Sequence, residues 1–270
     1  MTDRKTESAM AESTKAESAQ TEFTEDAFLG GQLHLRQLRS GHRAGHDAML
    51  LAAATPARPG DRVVDFGAGV GAVGLAIARR VPGIELVLVE IDQQLASLAR
   101  GNAESNAIPA EIIVLDLTSA ADAFAAAGLS PDSADVVLMN PPFNDSARHR
   151  ASPDKARETA HMATATTLES WIHAARRILK SGGILTLIWR ADGLAEVLAA
   201  LDRGFGSLAI LPVHGDAKMP AIRVLVRAIK GGRAPIQIHA ALVLNDGSTL
   251  PNEQVQEILA GKAVLPLAVR

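Results

Sequence analysis

Arg62-Val-Val-Asp-Phe66, Gly67-Ala-Gly69-Val-Gly71 and Ala72-Val-Gly-Leu-Ala-Ile-Ala78 follow one another without interruption, and their reading decides the fold. The first segment is a short apolar run of strand length, the second a glycine-rich turn, the third the start of a helix. Glycines at such a turn let the backbone approach a ligand closely, and the helix that follows presents free N–H groups.

Outward from this unit the same alternation recurs. Glu85-Leu-Val-Leu-Val89 predicts a second strand ending in Glu90-Ile-Asp92, with a helix from Gln93 to Asn106. A third strand, Glu111 to Leu115, ends in Asp116 and Leu117, and a helix over Ala120 to Ala127 leads to a fourth strand, Asp135-Val-Val-Leu-Met139. Strands alternating with helices imply a doubly wound α/β fold, a mostly parallel sheet with right-handed crossovers. Further on, the pattern predicts a helix over Ala165 to Leu179, a strand over Ile184 to Trp189, a helix over Leu194 to Leu201 and strands over Ser207 to Pro212 and Ile222 to Ile229. A short strand to Leu244, a turn at Asn245-Asp-Gly247 and a small helix near Glu253 to Leu259 close the chain. Trp171 and Trp189 read as core.

Ahead of the glycine turn, Leu33, Leu35 and Leu38 alternate with polar residues. Arg39 to Gly45 is a glycine-punctuated loop, and a helix from His46-Asp47 ends before Pro56, with Asp47 as its expected cap. Residues 1–26 are rich in Thr, Ser, Glu, Ala and Lys with almost no large apolar side chains, which predicts a disordered tail, with order beginning near Phe28. Residues 27–270 then form one domain.

With 270 residues, 47% of them hydrophobic, the chain can bury a sizeable core. No apolar run reaches the roughly 18 residues of a membrane helix and no basic-then-apolar leader opens it, so a cytoplasmic protein is expected. There is no cysteine, hence no thiolate metal site or thiol nucleophile. Thirty acidic against 27 basic residues exclude a global attraction to nucleic acid, so any such contact rests on a local patch. Serine-hydrolase and Walker-type loops are absent, and His42, His46 and Asp47 are too few to argue for a metal.

At the fourth strand end stands Asn140-Pro-Pro-Phe143. Two prolines without N–H groups and with fixed φ make a stiff turn with free carbonyls, at the strand end where open α/β sheets hold ligands. As bare structure it is a strand-ending turn. As chemistry, the Asn side chain and the carbonyl before a proline could accept hydrogen bonds from a planar amino group while Phe143 stacks on its ring.

Gly69-Val-Gly71-Ala-Val-Gly74 also fits the dinucleotide pattern, and Glu90 sits near the roughly 20-residue offset of a ribose-binding acid, so a nicotinamide oxidoreductase is one reading. Asp65, two residues before Gly67, sets the loop apart: Asp-x-Gly-x-Gly-x-Gly resembles the first motif of class I S-adenosylmethionine-dependent methyltransferases. A carboxylate there suits a sulfonium and an ammonium better than a pyrophosphate. The resemblance implies a Rossmann-like seven-stranded sheet with S-adenosylmethionine as cofactor, bound by Asp65, Gly67, Gly69, Gly71, Glu90 on the ribose and Asp116 with Leu117 at the adenine.

Asn140-Pro-Pro-Phe143 resembles the fourth motif of methyltransferases acting on planar exocyclic or amide nitrogens, which implies catalytic roles for Asn140, Pro141, Pro142 and Phe143, with Asn140 also beside the cofactor. Together with Gly45-His-Asp-Ala-Met-Leu-Leu51 and Ala234 to Leu244 it is similar to the small-domain methyltransferases that modify an adenine amino group of a valine tRNA. There Asp47 matches a residue near the cofactor's methionine end. Enzymes with the same tetrapeptide methylate guanine in ribosomal RNA or a glutamine amide of release factors, and a non-catalytic RNA-binding module is a further alternative. Asn144 to Glu158 reads as a mobile polar loop whose Arg148, Arg150, Lys155 and Arg157 could contact RNA phosphates.

Overall fold

The structure is a computed structural model that describes residues 23–39, 43–142, 155–245 and 252–270, with backbone only over 155–165. Strands β1 (Phe23–Phe28) and β2 (Leu33–Leu38) form an antiparallel hairpin. Helix α1 (His46–Ala54) follows, then β3 (Arg62–Phe66), α2 (Ala72–Arg80), β4 (Glu85–Glu90), α3 (Gln93–Ser105), β5 (Glu111–Val114), α4 (Ala121–Ala126) and β6 (Ala134–Met139). The second half comprises α5 (Lys155–Ile178), β7 (Leu179–Arg190), α6 (Leu194–Leu201), β8 (Phe205–Asp216), β9 (Ala221–Lys230), β10 (Gln237–Ile238), β11 (Leu242–Asn245) and α7 (Glu253–Leu259).

The main sheet runs in the order β10-β8-β9-β7-β6-β3-β4-β5, with β11 also on β8. β3 to β7 are mutually parallel, and β9 is antiparallel to both β7 and β8. Val63, Val64, Phe66, Val87 and Leu88 are wholly buried, as strands covered on both faces require. One apolar layer, including α1 and α2, packs on one face. The other, with Phe66 edge-on to Phe124, packs beneath α4, α5 and α6. α1 is apolar nearly all round, with every residue from Ala48 to Ala54 buried, the signature of a helix enclosed by its neighbours.

From β3 the chain winds one way through β4 and β5, then returns to place β6 on β3's other side. Such a reversal opens a crevice at the carboxyl ends of the two strands. Phe66 is in register with Met139, so Gly67 and Asn140 emerge side by side, roughly 4.8 Å being the ordinary spacing between strands.

Several expectations are corrected. Among the described residues the sheet has nine strands rather than seven. The extra ones arise because the returning segment pairs β8 twice, at Gln237↔Ala209 and again at Leu242↔Val213. Four steps on that segment face three on β8, and Pro212 there lacks an N–H, so one strand over Ile236 to Leu244 cannot pair continuously.

Order begins by Phe23, inside the tail drawn to residue 26. Asp26, which reads as a tail residue, is the acceptor for Thr24, for Gln37 Nε2 (2.9 Å) and for the Arg43 guanidinium (2.6 Å). Gln37 lies on β2 and Arg43 on the loop beyond it. α5 starts at Lys155, so Lys155 and Arg157 are helical rather than part of a loop; Ala, Arg, Glu and Met between them favour a helix despite the polarity. β7 begins five residues early because Lys180 to Gly183 ride a bulge between Ala134↔Leu179 and Val136↔Ile184.

Candidate active site

A cavity of about 390 Å³ opens at the crevice between β3 and β6. Gly67, Gly69, Asp65, Glu90, Asp116, Leu117, Asn140 and Pro142 all line it, so residues from four strand ends meet as expected. Gly71 does not line it; it caps α2 with φ +87° and packs on Leu88 and Leu75. Asp47 is also outside the wall. It makes no side-chain cap, and its carboxylate takes a 2.9 Å bond from Arg223 Nε on β9, while its neighbour Ala48 faces the cavity. Pro141 is buried and does not line the cavity. Phe143, Arg148, Arg150 and His42 lie outside the described residues.

The glycine end is held by acids. Glu90, 7% exposed, accepts from Gly69 N (2.7 Å) through Oε2, and from Ile91 N (2.8 Å) and Asp92 N (3.0 Å) through Oε1. It is not the cap of α3; Asp92 is, accepting from Gln94 N and Leu95 N. Gly69 at φ +58° turns its N–H toward that carboxylate, a conformation that side chains disfavour.

Asp65 lies behind the turn, 2% exposed, accepting from Gly74 N at 2.9 Å. Burial pushes its carboxyl up to about 7; the Gly74 bond opposes this and the negative charge of Glu90 adds to it. Asp116 is exposed, its Oδ1 fixed by the N–H and hydroxyl of Thr118, both at 2.8 Å. Ala44, Val70, Ile91, Leu95 and Leu117 supply apolar wall between these polar points.

Asn140 differs. Its Oδ1 is buried and has no hydrogen-bond partner among the described residues. A buried acceptor without a donor costs on the order of 1–3 kcal/mol, a cost that a ligand N–H would relieve.

The sequence model of the family "Methyltransferase small domain" matches residues 40–216. The chain belongs to this family. It is an S-adenosylmethionine-dependent methyltransferase. Among its relatives is a "tRNA1(Val) (adenine(37)-N6)-methyltransferase" of Erwinia tasmaniensis, 27% identical over 203 residues that make up 74% of this chain and 80% of that one. A protein of the same name from Dyadobacter fermentans is 30% identical over 201 residues, again 74% and 80%. A crystal structure titled as a predicted O-methyltransferase from Agrobacterium tumefaciens superposes with TM-score 0.68 at 34% identity, covering 81% of this chain and 98% of that one.

The pocket of this methyltransferase fits its cofactor on its own terms. A glycine-rich turn backed by two buried carboxylates suits a ligand carrying positive charge, and the apolar wall suits a purine. Two residues missed in the sequence belong here. Trp171, expected in the core, is half-buried and lines the cavity with Thr167, one turn earlier on α5; Trp189 is the core tryptophan, fully buried. The Trp171 ring lies so close to Gly67 that a Cβ there would sit 2.4 Å from Cη2. Their i, i+4 spacing was the available signal, but nothing local said which face of α5 meets the turn. Among the described residues no His, Cys, Asp or Glu group could hold a metal ion, and no described helix is long and apolar enough to cross a membrane.

Proposed function

We propose that this methyltransferase transfers the methyl group to adenine N6 of a tRNA. The reading is carried by the buried Oδ1 of Asn140, without a partner among the described residues and beside the glycine turn at the crevice. An adenine amino nitrogen is a poor nucleophile because its lone pair is delocalised into the ring. Asn140 Oδ1 and the carbonyl of Pro141 accept its two hydrogens and turn the lone pair toward the methyl donor, with Phe143 stacked on the base. The N–CH3 bond forms as the S–CH3 bond breaks, leaving S-adenosylhomocysteine, and the surplus amino proton goes to solvent. Positioning and electrostatics carry the rate, and no strong base is needed.

In this reading Asp65 and the turn from Gly67 to Val70 face the methionine end of the cofactor, with Gly71 and Asp47 behind them. Glu90 takes the ribose hydroxyls, and Asp116 with Leu117 the adenine. Arg148, Arg150, Lys155 and Arg157 contact phosphates, and the target base leaves its stack to enter the pocket. An oxygen target, as titled for the Agrobacterium protein, is less well served. It offers one hydrogen that a base must remove, and the pocket's buried carboxylates Asp65 and Glu90 are already engaged by backbone N–H groups.

The test is methyl transfer from labelled S-adenosylmethionine to tRNA, ribosomal RNA and release factor from cells lacking the gene, followed by mass spectrometry of the product. N6-methyladenosine in tRNA is expected; label confined to another substrate overturns the reading.

A further inference from the structure

β2 has a backbone edge on the side away from β1 that no strand among the described residues covers. Two asparagines do, Asn102 in α3 and Asn106 at its carboxyl-terminal cap. Asn106 Oδ1 accepts from His34 N at 3.0 Å and its Nδ2 donates to His34 O. Asn102 Oδ1 accepts from Arg36 N at 2.8 Å and its Nδ2 donates to Arg36 O at 3.1 Å. The spacing explains the fit: four residues of helix rise roughly 6 Å, and two of strand nearly 7 Å. The side chains copy the donors and acceptors of a missing strand.

The two asparagines are not equivalent. Asn102, 1% exposed, uses its second amide hydrogen on Val70 O at 3.0 Å. Val70 is part of the glycine turn and lines the cofactor cavity. The second hydrogen bond of the Asn106 amide stays inside α3, to Asn102 O at 2.8 Å. One side chain therefore fastens the amino-terminal hairpin and the cofactor turn to the same helix; the other fastens the hairpin alone.

We propose that Asn102 is a positioning residue for S-adenosylmethionine binding and couples the hairpin to the glycine turn. Carbonyl 70 shares its peptide plane with the N–H of Gly71, which closes the turn onto Ala68 O at 2.8 Å, and Asn102 is the side chain that holds that plane. Coupling is reciprocal, so cofactor binding steadies β2 through the same amide.

Asn102→Ala and Asn106→Ala each remove two strand-edge bonds and lower thermal stability alike, which makes Asn106→Ala the matched control. Titration calorimetry is expected to give an S-adenosylmethionine dissociation constant raised at least about tenfold in Asn102→Ala and within about twofold of wild type in Asn106→Ala. The KM for the cofactor should rise in the same ratio while kcat at saturation holds within about twofold. Equal effects in the two variants, or wild-type affinity in Asn102→Ala, overturn the proposal. Hydrogen exchange on the unmodified protein decides the case even if a variant fails to fold: adding the cofactor should slow exchange of the Arg36 amide several-fold more than that of His34. Equal slowing, or none, overturns it.

Discussion

The two walls of the cavity are finished differently. On the β3–β4 side the carboxylates of Asp65 and Glu90 are engaged by backbone N–H groups, and the turn between them is locked in place. On the β6 side the buried Oδ1 of Asn140 lacks a partner among the described residues. A wall with its hydrogen bonds made is a preorganised holder, stable before the ligand arrives. A wall with an orphaned acceptor is held in a state that only a ligand completes. The difference separates a binding role from a catalytic one by their cost in the free protein.

Removing each wall should therefore break different quantities. Asn140→Ala is expected to lower kcat by about 10³-fold, the usual scale for a lost transition-state acceptor or donor, with cofactor affinity nearly intact. It should not destabilise the fold, since the truncated oxygen has no hydrogen-bond partner among the described residues. Glu90→Ala is expected to weaken cofactor binding by about 10²-fold, and to lower the melting temperature as well, because three N–H groups lose their acceptor. Stopped-assay kinetics, calorimetry and thermal melts on both variants check the contrast; a fall in kcat alone for Glu90→Ala would erase it.

How much of this was legible from residues alone follows from range. Gly67 to Gly71, Glu90 and Asp116 each sit at the end of a strand whose apolar run is local, so their meeting at one edge follows from parallel topology. Asn140 could be placed beside Gly67 for the same reason. What was hidden depends on partners far along the chain. Asp47 reads as a helix cap until Arg223, 176 residues later, takes its carboxylate. Asp26 reads as tail until Gln37 and Arg43 close on it. Trp171 needed the rotational phase of α5 against the sheet, and Asn102 the docking of a hairpin on α3. The strand count failed at Pro212, where one missing N–H divides an edge strand in two.

The holder wall can be sharpened through pH. Asp65 has its carboxyl pushed from 3.8 to about 7 by burial, so the folded protein binds a proton there that the unfolded chain has released between those values. Its contribution to stability is full below about 4 and is lost as pH rises through 7. Asp65→Asn keeps an acceptor for Gly74 N but does not titrate. The stability of the free wild-type protein relative to this variant should therefore fall between pH 5 and pH 7.5, by up to about 1.4 kcal/mol per pH unit. A cationic ligand reverses the preference: S-adenosylmethionine should bind the wild type several-fold more tightly at pH 8 than at pH 6, with little change in the variant. Parallel pH curves for the two proteins would remove Asp65 from the account.

The smallest expected effect concerns the ring between the walls. Trp171 shares the cavity with residues of both, while Trp189 is sealed in the core, so a change in tryptophan emission on adding cofactor should come from Trp171 alone. Trp171→Phe should abolish that signal and keep most of the affinity. Trp171→Leu gives up an aromatic contact worth about 0.5–1.5 kcal/mol, about 2- to 10-fold in binding. Because the ring packs on Gly67, part of the cofactor turn, its loss belongs with the holder: the KM for cofactor should rise while kcat at saturation stays near wild type. If kcat falls instead, the ring serves the acceptor side, and the division between the walls runs through α5 rather than between β3 and β6.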